Sequence, residues 1–413
     1  MRQLVIACAV SLAWVAQSKP VLAQRRLDDA PIQYRQSAAD NPIDRLASSV
    51  AAGETKLQYE PGYGYLHSIL QELDIPVSSQ SLVFSKTSLQ TGRISPDNPR
   101  AFYFNDDVYI GWIRGSSLME VATADVNLGA AFYSIQMNPR GASIRREHHR
   151  CLVCHEKTAD SGKVPMHTIT SVMARETGQV NLLLAEYKTD HTSPFSERWG
   201  GWYVTGDAGE MGHMGNAFLK DETLVPISPH QLDDLHGVIE TSQWPTPHSD
   251  VVALMVLEHQ VEMHNRMTRA NYAVRRAAFQ KEQGEINDAD FQQIVDREAD
   301  AVTEYAFFSG EAKLTSPIIG SSEFTRDFAK RGPFDSQGRS LREFDLTTRM
   351  FRYPCSYLVY SDQFKGMEDV LRERVLAMMN DVLTGSDQRP KFEHLSAEDR
   401  TAIRTILQET KAI

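Results

Sequence analysis

Residues 150–155 read Arg-Cys-Leu-Val-Cys-His, and no other stretch of the chain restricts its fold as strongly. Two thiols three residues apart, with an imidazole directly behind the second, crowd onto one turn. The fold has to present that turn to whatever the three groups hold. The spacing is that of covalent haem attachment. The thiols of Cys151 and Cys154 reach two vinyl groups on one edge of a macrocycle and form thioethers, and His155 ligates the iron beneath. With 4 Cys and 13 His in 413 residues, the pattern is expected only about 0.001 times by chance.

Three other chemistries use closely spaced cysteines, and each lacks a second requirement here. A thioredoxin-like pair opens a helix after a strand in a βαβ unit, and no such unit is legible. A zinc site needs a further pair of thiols or imidazoles, whereas the next cysteine is Cys355, 200 residues on. A disulfide across two intervening residues is strained. The remaining cysteine, Cys8, falls in the leader described next, so an odd three are left and stapling does not hold the fold.

Residues 1–23 read as a secretory leader: Arg2, an apolar run from Leu4 to Ala16, and a cleavage pattern at Val21-Leu22-Ala23. The run is short for a membrane span, and no later stretch approaches eighteen apolar residues. Export suits the motif, and the expected location is the periplasm or beyond. The whole chain carries net charge −11, and without the leader's Arg2 and Lys19 it carries −13. That balance argues against nucleic acid and anionic lipid and suits a basic redox partner or a small-molecule substrate.

Cys151, Cys154 and His155 resemble the attachment site of a c-type cytochrome, which implies one haem c as cofactor. The stretch Asn138-Pro139-Arg140-Gly141 interrupts the region where small class I cytochromes place a helix. Dihaem peroxidases and rubber oxygenases carry two such motifs, and this chain has one. Arg198-Trp199-Gly200-Gly201-Trp202-Tyr203 and Phe351-Arg352-Tyr353-Pro354-Cys355 resemble segments of secreted bacterial monohaem proteins. The sixth iron position separates a carrier from an enzyme, because methionine, histidine and an open site give different chemistry. Two clusters offer a ligand: Met166 and His167 soon after the motif, and His213 and Met214 in the glycine-rich loop Gly209–Asn216. The second is favoured, since glycine lets backbone approach a flat cofactor. Arg145, Arg146, His148, His149 and Arg150 form a basic cluster suited to haem propionates or to solvent.

Along the chain the expected fold is α+β. A strand-containing, haem-bearing part, residues 24–244, precedes a mainly helical part, residues 245–413, packed on it. Residues 24–60 read as a polar lead-in with a helical turn or two, and Tyr65–Leu73 as a short helix. Hairpins are expected at Ala101–Phe104 with Val108–Ile113, and at Thr168–Ala174 with Val180–Tyr187; a strand is expected at Ala130–Ile135. Pro245 and Pro247 mark the change. Beyond them come a long helix capped by Ser249, one capped by Asn287, one through Met367–Val382, and a last one opened by Ser396 and Asp399. In the long helix Glu258, His259 and Glu262 form a ligand-rich patch, read as ordinary helix pairing before metal. The expected function is electron transfer by an exported monohaem cytochrome. The alternative is a haem enzyme of peroxidase or oxygenase type.

Overall fold

A computed structural model describes residues 26–412 apart from 182, 185, 229 and 230, so the expected leader, residues 1–23, lies outside the described residues. Six strands form one antiparallel meander in chain order: β1 Ser81–Val83, β2 Arg100–Phe104, β3 Val108–Trp112, β4 Leu118–Asp125, β5 Gly129–Asn138 and β6 Gly141–Arg146. The expected first hairpin is β2–β3, with Asn105, Asp106 and Asp107 turning it. Asn138 to Gly141 make the tight β5–β6 turn. The sheet-rich first half and helical second half make an α+β fold.

Alternation along a strand sends neighbouring side chains to opposite faces. One face carries Tyr103, Ile110, Val121 and Tyr133, aligned across β2 to β5. It buries these against α1 Pro42–Ala52, α2 Leu66–Glu72 and the segment around Leu27, Ile32 and Tyr34. That segment is therefore core. Tyr34 donates to the Ala130 carbonyl at 2.8 Å, and Arg146 clamps the Tyr34 and Ser37 carbonyls. The other face carries two rows in register. Phe104, Tyr109, Ala122 and Phe132 form one; Phe102, Gly111, Glu120, Ser134 and Arg145 form the next.

The first of these rows lies under α4 Val251–Glu282, a helix with apolar side chains on most sides, as a helix buried all round requires. Asp250 caps it by accepting from Val252 and Ala253 N–H, and Ser249 instead ties Tyr203 to Leu82. Gln260 of α4 donates to the Tyr109 hydroxyl and the Asn105 carbonyl. α5 Asp288–Ala306 packs on α4. The short α6 Phe324–Ala329 and α7 Asp362–Lys365 lead to α8 Asp369–Thr384 and α9 Ala397–Glu409. Capping boxes start α5 (Asn287 with Asp290) and α9 (Ser396 with Asp399), as their sequences require.

Between the halves lie α3 Leu152–His155 and the hairpin of β7 Glu156–Ala159 with β8 Gly162–Pro165. β9 Thr170–Val172 pairs with β10 Glu186–Lys188. The second expected hairpin keeps a tight turn at Glu176-Thr177-Gly178, where Gly178 N–H donates to the Arg175 carbonyl at 2.7 Å and Arg175 N–H to the Gln179 carbonyl at 2.8 Å, but its ladder is interrupted between the Ala174↔Val180 bridge and the β9–β10 pairs.

Candidate functional site

α3 is one turn long, and it is built around the motif. Leu152 points into the core and anchors the turn. Cys151, Cys154 and His155 fall at i, i+3 and i+4 and so share one face of the turn, with His155, three residues after Leu152, on the side nearer the core. Cys151 is half-buried, Cys154 is exposed, and both thiols are free. Burial, together with the Glu147 and Glu120 charges, pushes the Cys151 thiol up to about 12. Reactive dithiol sites need the reverse, an electropositive setting that favours thiolate.

The hairpin that follows fixes the imidazole. Met166 N–H donates to the His155 carbonyl at 2.9 Å, so the two residues face each other at the hairpin's open end. The His155 ring rests on Phe132, centroids 4.6 Å apart. Its Nδ1 lies 2.9 Å from the Met166 carbonyl. A carbonyl only accepts, so Nδ1 carries the proton and Nε2 keeps its lone pair. A metal-bound histidine needs this tautomer and this kind of outer partner. Burial holds the ring neutral, with its pKa pushed down to about 4. The residues therefore fit one covalent haem.

The second candidate loop is built differently. Gly215 N–H donates to His213 Nδ1 at 3.0 Å, so Nε2 carries the proton in the neutral ring. That is the opposite tautomer to His155. The His213 ring packs edge-on against Trp199 at 5.2 Å. The buried Met214 sulfur accepts from the Ser171 hydroxyl at 3.6 Å. None of these partners belongs to the motif. Met166 and His167 sit beside His155 on the same hairpin end. A haem held by His155 would therefore meet Met166 and His167 beside that ligand.

His167 has a distinct environment. Asn265 of α4 clamps its backbone from both sides, with bonds of 2.9 and 3.0 Å. Its buried ring lies between Tyr109, Phe132 and His264, and neither ring nitrogen has a partner among the described residues. The basic cluster divides as well. Arg146 is spent on the N-terminal segment and Arg150 pairs with Glu147 at 2.5 Å, while Arg145 and His149 are exposed.

The α4 patch separates into three environments. Glu258 is buried against Arg198 at 3.2 Å, and burial pushes its carboxyl up to about 7 despite that charge. His259 lies between His191 Nδ1 at 2.8 Å and the Ser356 hydroxyl at 2.9 Å. Glu262 pairs with Arg266 and Arg269 on the helix surface. Among the described residues, no three His, Cys, Asp or Glu side chains converge as a metal site. The partners of Glu258 and His259 come from residues 191, 198 and 356, and no spacing within the helix announces them.

These imidazoles set the acid limit of the fold. Burial holds His167, His191, His259 and His264 below the usual histidine value of 6.5. They stay neutral in the fold and would charge in the unfolded chain below about 6.5, so their contribution is present above that pH and is lost as pH falls. Asp107, Glu258 and Glu311, each pushed up to about 7 by burial, act in the opposite sense. His155 and His213, each pushed down to about 4 by burial, join the imidazoles and Asp125 joins the carboxyls, so the depressed imidazoles are the more numerous. The thermal midpoint is therefore expected to fall on going from pH 7 to pH 5, and a rising midpoint would contradict this balance.

Compared with known protein families, with curated proteins and with solved structures, the chain matches none.

Proposed function

We propose that the chain is exported, binds one haem c through Cys151 and Cys154 with His155 as axial ligand, and transfers electrons. The observation that carries this reading is the motif's exposure. Cys154 is exposed, and Val153 beside it is 82 % exposed although apolar. A haem bonded to these residues would be held at the surface, where a partner could approach it. Bound haem supplies an iron that cycles between ferric and ferrous. The chain's part is to fix the ring, hold His155 in its ligating tautomer and leave the haem reachable. No helix among the described residues is long and apolar enough to cross a membrane.

A second reading, a haem enzyme with an open sixth position, is favoured by the His213 tautomer and by the seating of Met166 and His167 on the His155 side. Optical spectra of the haem-loaded protein separate the two. A carrier is expected to titrate reversibly by one electron at an electrode, with ferrous iron that ignores carbon monoxide. Carbon monoxide binding by the unmutated ferrous protein would hand the reading to the enzyme.

A further inference from the structure

On the sheet face that bears the motif, Arg100 is, among the described residues, a buried cation with an unused hydrogen-bonding edge, and Glu120 fixes it in place. Arg100 lies two residues before Phe102 on β2, so it points to the same face as the Phe102–Gly111–Glu120–Ser134 row. Its guanidinium stacks over the Phe102 ring at 4.4 Å. Its stem crosses Gly111, with Cδ passing 3.6 Å from where a Cβ there would stand. Arg100 Nη1 then donates to Glu120 Oε2 at 2.8 Å. The other Glu120 oxygen accepts from the Ser88 hydroxyl at 3.0 Å and the Gln90 amide at 3.2 Å. Glu120 is thereby filled.

Arg100 is not filled. Its Nε is buried with no partner, and no bond is found for Nη2 among the described residues. A guanidinium presents Nε–H and Nη2–H side by side as a fork that matches a carboxylate. A buried N–H without a partner costs stability unless something else accepts from it. The motif adjoins this row directly. The Ser134 hydroxyl holds Glu147, which pairs with Arg150 next to Cys151. Phe132, under the His155 ring, is two residues along β5 from Ser134.

We propose that the Nε/Nη2 edge of Arg100 receives a haem propionate, and that the Arg100–Glu120 pair tunes the reduction potential of the bound haem. This rests on the haem reading above. The propionate's charge is matched by Arg100, while Glu120 orients the guanidinium and offsets part of its charge. A free carboxylate anion has the same chemistry and is the competing occupant.

The test is a redox titration of the haem-loaded full chain, carried out on Arg100→Gln, Arg100→Lys and Glu120→Gln beside the wild type. Arg100→Gln is expected to lower the midpoint potential and Glu120→Gln to raise it, with Arg100→Lys keeping most of the wild-type value. The pH at which the potential begins to depend on propionate ionisation is expected to move upward in Arg100→Gln, because the carboxylate loses its cation. A mere packing role would move neither the sign pair nor that inflection. Unchanged potentials in both neutralising variants would overturn the proposal. So would a shift seen only with added acetate, which would assign the edge to a free anion. Wild-type protein carrying no covalent haem would fail the functional reading instead, and intact mass tells these failures apart before any potential is measured.

Discussion

Exported Cys151→Ala/Cys154→Ala protein is expected to carry no covalent haem, with pigment either absent or fully extractable into acidified acetone. The two single variants divide the effect. Cys154 is exposed, so Cys154→Ala should change the stability of the haem-free chain by no more than about 0.5 kcal/mol while removing one thioether. Cys151 is half-buried and packs against the core cluster beneath the sheet, so its replacement costs stability as well. Denaturant unfolding of haem-free protein, set beside pigment extraction of exported protein, separates attachment from folding. Full haem retention in the double variant would contradict the assignment.

The largest stability effect is expected away from the motif, at Arg198→Met. Arg198 and Glu258 are each 1 % exposed, and the guanidinium also donates to the His191 and Ser193 carbonyls. Breaking one side of a buried pair leaves an uncompensated charge and costs about 3–5 kcal/mol. Glu258 already has its carboxyl pushed up to about 7 by burial, and losing Arg198 pushes it further. The variant therefore escapes part of the penalty by keeping Glu258 protonated, which is easiest at low pH. The deficit relative to wild type should grow from pH 5 to pH 8, and a second change, Glu258→Leu, should recover much of it. Urea unfolding at the two pH values checks both expectations. A loss under about 1 kcal/mol at pH 8 would sink the claim.

How much of this was readable beforehand depended on whether the cause was local. The β2–β3 hairpin, the capping boxes of α5 and α9 and the motif turn all follow from residues within a few positions of one another. β4 reads Leu-Met-Glu-Val-Ala-Thr-Ala-Asp, and its period-2 alternation is diluted by alanine and acidic residues that favour strands weakly. β6 is Gly-Ala-Ser-Ile-Arg-Arg, whose arginines belong to the basic cluster and give no strand pattern, yet its register with β5 makes it a strand. Asp250 displaced Ser249 as helix cap because Ser249 was already bound to Tyr203 and Leu82, a tertiary cause.

Within the candidate site, the one-turn placement of Cys151, Cys154 and His155 was legible and their surroundings were not. The glycines around His213 and Met214 mark a loop, but the Gly215 bond that sets the His213 tautomer is a detail of its backbone path. The Nδ1 partner of His155 is a backbone carbonyl, which no side-chain pattern announces. Arg100 and Glu120 lie 20 residues apart and meet only through the register of β2, β3 and β4.

The central claim, one haem held by Cys151 and Cys154, is tested most directly by the intact mass of the protein recovered from an exporting host. The expected result is the chain from Gln24 plus a single haem, unchanged after extraction with acidified acetone. A mass equal to the bare polypeptide, with no colour retained, would contradict it.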